Sequence, residues 1–267
     1  MLILDVAQAL PMYSISCFKL PIGLCQGIES PIRRFFWGQK GNNRKIRWAK
    51  WRELCRPKSQ GGLGFKDLSR FNDTRLAKQT WRLLHDTNSL FCRVLKANYF
   101  PNCSVMEAKN PSSASYDWKS IIKGRVVIRR GAIWRIGDGQ SVQVWRDNWL
   151  PGKIMARVLS PCRDEDGDAK VSMFTESENC RWKEEILDYY LLDFKADSIK
   201  AIPLCRTQQQ DTLMRPHNPS SEYTVKSGYK FLQNEHQYQQ PGSLNPEAVK
   251  HFCHAIWKLN LPAKVKI

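Results

Sequence analysis

The sequence predicts an α+β chain that is mainly helical, with one β-hairpin and a second, smaller unit toward the C-terminus. Three observations carry this. Apolar residues recur at helical spacing through most of the first 130 positions, as in Phe71, Ala77, Trp81 and Leu84. The period then changes at residues 133–146, where two apolar runs flank Gly137-Asp138-Gly139, a hairpin signature. A polar, acidic stretch over 160–180 then interrupts the pattern. The expected organisation is a basic helical region over 1–157, a linker over 158–180 and a small α+β region over 181–267.

Each element has a local reason. Met1–Phe18 is apolar, and Pro11 divides it into two short segments. Cys25, Ile28, Ile32, Phe35 and Phe36 have helical spacing, but Pro31 would end one helix and Ser30 would cap a new one. Gly38 suits the C-terminal cap. Residues 39–47 read as a basic loop, and Trp48 to Leu54 as a short helix or strand. Gly61-Gly62-Leu63-Gly64-Phe65 is a loop without the Lys-Ser/Thr ending of a phosphate loop. Asp67 or Ser69 caps the next helix, and Ser89 the one after, which stops before Pro101. Residues 115–128 form a further helix with Trp118, Ile121 and Ile122 inward. Trp182 to Phe194 is amphipathic, and 196–204 holds a short helix ending before Pro203. Tyr223–Tyr229 reads as a strand turning into a helix, with Ser227 as a cap. Residues 235–247 read as loop.

Charge sharpens the functional reading. The chain of 267 residues carries 42 Lys/Arg against 25 Asp/Glu, a net +17. Residues 1–157 hold 28 bases and 10 acids, so the whole excess lies there. Residues 32–58 carry ten bases and one acid, Glu53. Such an imbalance suits an acidic partner, RNA or DNA first, although a plain solvated face would look similar. Nine scattered cysteines, none spaced Cys-x-x-Cys, read as reduced thiols of an intracellular protein. No run is long and apolar enough for a membrane span, and residues 1–20 lack the basic start of a secretory signal. Nucleus and mitochondrion are equally compatible.

Catalytic and cofactor signatures are missing from the sequence. It has no Gly-x-Ser-x-Gly elbow, His-Glu-x-x-His, Walker loop or Asp-Asp dipeptide. His251-Phe252-Cys253-His254 is the nearest approach to a metal cluster and has no second ligand pair at zinc spacing. Asp164–Asp168 is acidic, but its glycine is misplaced for a calcium loop. No catalytic residue, metal, cofactor or small-molecule substrate is expected.

An ordered series of motifs points further. It includes Ala9-Leu10-Pro11-Met12 through Lys19-Leu20-Pro21, Phe36-Trp37-Gly38, Lys45-Ile46-Arg47-Trp48 and Gly61 to Leu68. Tyr99-Phe100-Pro101, Trp118-Lys119-Ser120-Ile121, Trp134 to Gly139, Trp149-Leu150-Pro151, Tyr223 to Tyr229 and Ile256-Trp257-Lys258-Leu259 continue it. The series resembles plant LINE-type non-LTR retrotransposon reverse transcriptases, from just after the catalytic palm to the start of the reverse-transcriptase zinc-binding domain. Shorter plant mitochondrial reading frames resemble the first ~150 residues too, a one-domain length. Met214 departs from the usual Trp, and Pro31 from a normally unbroken helix.

The resemblance implies a thumb-like helical region and a truncated zinc-binding-like domain. The polymerase carboxylates would lie upstream, and the zinc ligands and ribonuclease H domain downstream. The chain is therefore expected to be no enzyme, but a fragment that holds the template-primer backbone with little sequence preference. Lys and Arg would meet phosphates and flat side chains would meet exposed bases. The candidate nucleic-acid-binding residues are Arg33, Arg34, Lys40, Arg44, Lys45, Arg47, Trp48, Lys50 and Arg52. Trp51 reads as core. The alternative is a pseudogene-like remnant with no selected activity.

Overall fold

The computed structural model describes residues 11–39, 46–151, 156–158, 167–176, 180–204, 209–216, 220–238 and 246–260. The chain is mainly helical with small antiparallel strand pairs. It divides into two compact units: 1–127 together with 224–267, and 128–223. The first unit thus gathers both ends of the chain, whereas the sequence pattern suggests breaks at 157 and 181.

In the first unit, α1 (Met12–Cys17) starts directly after Pro11. A proline suits that place, where helix N–H groups have no intrahelical partner. The earlier segment expected before Pro11 lies outside the described residues. The expected break at Pro31 does not occur: α2 (Ile22–Phe36) runs through it. Cys25, Glu29, Ile32 and Phe36 bury one row of this helix, while Pro31 sits on the exposed side. Burial of that row outweighs one lost hydrogen bond, and the residue four back, Gly27, has open space at its Cβ position. Gly38, at φ +66°, closes the helix.

α3 (Trp51–Leu54) leads into a 3-10 turn at Lys58–Gln60. The following glycines then have distinct tasks. Gly61 (φ +81°) and Gly64 (φ +74°) occupy left-handed backbone. A Cβ on Gly62 would lie 2.0 Å from the Arg56 carbonyl oxygen. This lets Leu63 N–H and Phe65 N–H both donate to the Leu54 carbonyl, at 3.0 and 3.3 Å.

α4 (Leu68–His85) begins at Asp67, whose Oδ1 accepts from Arg70 N–H at 3.0 Å. α5 (Leu90–Tyr99) begins at Ser89, whose Oγ accepts from Cys92 N–H at 3.3 Å. α6 (Tyr116–Gly131) extends three residues past its expected end. Gly124 lets it approach α4, since a Cβ there would meet Ala77 N at 2.6 Å. Thr80 Oγ1 bridges the same crossing by donating to Ile121 O at 2.8 Å. Arg125 then gathers the carbonyls of Val105, Met106 and Ala108 at 3.1, 3.1 and 2.7 Å.

The second unit corrects the hairpin. β1 (Ile133–Arg135) does not pair with residues 141–145. Further along lie β2 (Thr175–Glu176), β3 (Arg181–Trp182), α7 (Glu184–Tyr190), α8 (Asp193–Lys200) and β4 (Thr212–Met214). β1 pairs antiparallel with β4, Trp134 opposite Leu213, and β2 with β3. The Gly137–Gly139 turn does form, but a distant side chain holds it. Asp211 Oδ1 accepts from Gly137 N–H (2.7 Å) and Gly139 N–H (2.9 Å), and Oδ2 from Ser141 N–H (2.8 Å). Past the turn, Val142 O accepts from Val171 N–H at 3.0 Å, and Val144 N–H donates to Ala169 O at 2.9 Å. Both apolar runs therefore spend their backbone groups on later segments, not on each other.

The stretch expected as linker is only partly described. Within it Val171 and Phe174 are fully buried beside Val142, Val144, Leu187 and Ile199. That part is core, not linker. The single helix expected from 182 is interrupted at Leu191 and Leu192, which are extended.

The chain then returns to the first unit with α9 (Val225–Tyr238) and α10 (Pro246–Lys258). The expected strand at Tyr223 is absent. Thr224 Oγ1 accepts from Ser227 N–H at 3.0 Å and starts the helix instead. Cys253 of α10 is buried with its Sγ near Gly61. Among the described residues no helix is long and apolar enough to cross a membrane.

Candidate nucleic-acid interface

The interface begins with an apolar support. Phe36, Trp37, Leu54, Leu63 and Phe65 form one buried cluster under α2 and α3. Phe36 meets Trp37 and Phe65 edge-on at 5.0 and 5.3 Å, and Trp51 stacks on Phe65 at 5.2 Å. Trp51 is thus half-buried in the support, as its spacing suggests. From α9, Gln233 Nε2 donates to the Cys55 carbonyl at 2.9 Å, and Tyr229 Oη accepts from Asp67 N–H at 2.8 Å. Burial pushes the Cys55 thiol and the Tyr229 phenol well above their ordinary values, so both stay neutral.

The candidate cations lie on this support. Arg33 and Arg34 occupy the last turn of α2, where cations favour the helix dipole. Arg47 and Lys50 are exposed on the segment entering α3, and Arg52 is exposed on α3 itself. Trp48, next to Arg47 in the chain, is 79% exposed. The sole acid of the stretch, Glu53, is taken by Arg56 at 2.8 Å. Among the described residues Arg34, Arg47, Lys50 and Arg52 make no ion pair. Lys40, Arg44 and Lys45 lie outside the described residues.

A further residue of the site, Glu29, escapes a charge count. It lies in the buried row with Cys25, Ile32 and Phe36, and that row is the signal that could have found it. Its Oε1 accepts from Leu68 N–H at 2.9 Å, at the start of α4. Burial raises its pKa above the ordinary carboxylate range, against the lowering effects of that N–H and of Arg33. A raised carboxyl pKa means that the fold holds the protonated form more tightly than the unfolded chain does. The stability from that proton is present below the unfolded value and is lost as pH rises through the folded one. E29Q is therefore expected to be at least as stable as wild type at pH 7, with the gap closing toward pH 4. Thermal melts across that range check this, and a variant less stable at pH 7 than at pH 4 relative to wild type would contradict it.

The fold does not make Gly61–Gly64 a phosphate cradle. Their N–H groups are spent within the loop: Gly61 donates to the Lys58 carbonyl, Gly62 to Pro57, Leu63 to Leu54 and Gly64 to Arg56. Asp138 likewise serves its own turn, accepting from Gln140 N–H at 3.1 Å.

Comparison with known proteins gives two relatives. An uncharacterized mitochondrial protein of Arabidopsis thaliana is 45% identical over 144 residues, covering 54% of this chain and 94% of that protein. A second Arabidopsis thaliana protein, provisionally named a ribonuclease H protein, is 28% identical over 266 residues. That match covers 98% of this chain but 42% of the longer relative. No family model matches the chain. No solved structure matches it. The second relative corrects one expectation. A protein that aligns over nearly all of this chain is named for an enzyme, so the reading of the chain as no enzyme does not stand.

Proposed function

This chain belongs to the family of the short Arabidopsis mitochondrial protein, and from that premise we propose that its basic segment grips the backbone of RNA or DNA. The finer reading is a template-primer contact in a plant LINE-type reverse transcriptase. One observation carries it: Arg34, Arg47, Lys50 and Arg52 are exposed and make no ion pair among the described residues, Trp48 is exposed next to Arg47 in the chain, and Glu53, the one acid of residues 32–58, is spent on Arg56. Cations without counter-charges draw phosphates, and an open indole gives an unstacked base a face to lie on. The ribonuclease H name of the longer relative agrees with work on nucleic acid.

Fluorescence anisotropy with a primer-template duplex and with a single strand, at several salt concentrations, tests this. Changing Arg33, Arg34, Arg47 and Lys50 to Ala is expected to flatten the duplex salt slope by about 3 to 4, at ~0.9 per phosphate contact. W48A is expected to spare the slope and weaken the single strand by about 1–3 kcal/mol. A folded four-site variant that binds like wild type would sink the reading.

A further inference from the structure

A second set of cations lies on α4. Arg75, Lys78 and Arg82 follow at i, i+3 and i+7, so they share one row of the helix. Leu76, Ala77, Thr80, Trp81 and Leu83 of the same helix are buried. The row is mounted on aromatic rings. Arg75 Cζ lies 5.2 Å over Phe71, Lys66 Nζ lies 4.6 Å over the same ring, and Arg82 Cζ lies 5.5 Å over Phe91. The other contacts of Arg75 and Arg82 are neutral: Met12 Sδ at 3.7 Å and Gln79 Oε1 at 3.2 Å. The one carboxylate of α4, Asp73, is taken by Lys19 at 2.5 Å.

We propose that this row, through Arg75 and Arg82, is a second nucleic-acid contact that takes duplex phosphates and no bases. The inference rests on the nucleic-acid reading above. Two cations on one Phe71 ring repel each other, and burial, with a smaller effect from Arg75, lowers the pKa of Lys66. Arg75 and Arg82 are about 10.5 Å apart along the helix axis, about three base-pair steps of one strand. The rings beneath the row already carry cations, so no open face awaits a base there, in contrast to Trp48. Recognition by charge alone suits a regular backbone and ignores sequence.

The test is duplex binding by the full chain against salt, for wild type, R75Q/R82Q and R75K/R82K. Glutamine keeps the aliphatic stem on the ring but removes the charge, and circular dichroism confirms the fold. The glutamine variant is expected to flatten the salt slope by about 2, at ~0.9 per lost phosphate contact, and the lysine variant to restore it. If the slope is unchanged in folded R75Q/R82Q while the Arg33/Arg34/Arg47/Lys50 variant loses binding, the α4 row is overturned and the first interface stands. If wild type binds no duplex or single strand, both fall.

Discussion

D211A is expected to destabilise the second unit by about 5 kcal/mol, a large part of the 5–15 kcal/mol that holds a domain. The carboxylate accepts three backbone N–H groups, from Gly137, Gly139 and Ser141. Hydrogen bonds to a charged partner contribute about 1.5–3 kcal/mol each. Alanine leaves all three donors without an acceptor in a turn where nothing can slide. A Cβ on Gly137 would lie 2.1 Å from the Gln209 carbonyl oxygen, and one on Gly139 would lie 2.6 Å from Ser172 N. D211N separates this account from simple side-chain loss. Its amide oxygen can still serve Gly137 and Gly139, and only the Ser141 bond is lost. Its cost is expected to be about a third of that of D211A. Hydrogen exchange at the three amides is the direct readout. Equal protection in D211A and wild type would contradict the account.

The same turn shows where sequence reasoning reaches its range. The Gly-Asp-Gly signal correctly marks a reversal, because glycine at φ +69° is a local requirement. The partner of each flanking run is not local. β1 pairs with a strand about eighty positions later, and nothing in residues 133–146 encodes that choice. The caps of α4 and α5 are legible because Asp67 and Ser89 act within three residues of themselves. Pro31 misleads for the complementary reason. A local rule predicts a break, and the buried row from Cys25 to Phe36 overrides it through tertiary contacts.

The interface divides in the same way. The charge excess over 32–58 is a property of composition, so its cations can be named from sequence. Which acids remain to neutralise them is a matter of geometry. The Arg56 contact of Glu53 and the burial of Glu29 emerge only from the folded chain. The α4 row is dispersed among apolar residues and has no run of bases to announce it.

Replacing Asn72 is expected to cost stability and binding together. Asn72 is fully buried on α4. Its Nδ2 donates to the carbonyls of Ile15 and Phe18 at 2.8 and 2.7 Å, and its Oδ1 accepts from Leu20 N–H at 2.9 Å. One amide thus satisfies the end of α1 and the turn into α2. Leucine keeps the volume but leaves three backbone groups unpaired, at about 3–5 kcal/mol in all. Aspartate is expected to be worse at pH 7. Its carboxylate can accept from Leu20 but faces two carbonyl oxygens, and burial disfavours its charge. Such a carboxyl has a raised folded pKa, so N72D recovers stability as pH falls and the acid becomes a donor. N72L has no such pH dependence. Urea titrations of both variants at pH 7 and pH 5 check the sign. The functional consequence follows from packing. Ile15 is buried with Cys25, Leu68 and Phe71, and so helps to seat α2, which carries Arg33 and Arg34. When α1 undocks, those arginines lose their fixed position. On the proposed contact, N72L is expected to weaken nucleic-acid binding only as far as it unfolds α1, whereas changing Arg33, Arg34, Arg47 and Lys50 to Ala is expected to weaken binding with the fold intact. A fully folded N72L chain that had lost binding would place Asn72 at the nucleic acid itself and overturn its role as a clamp.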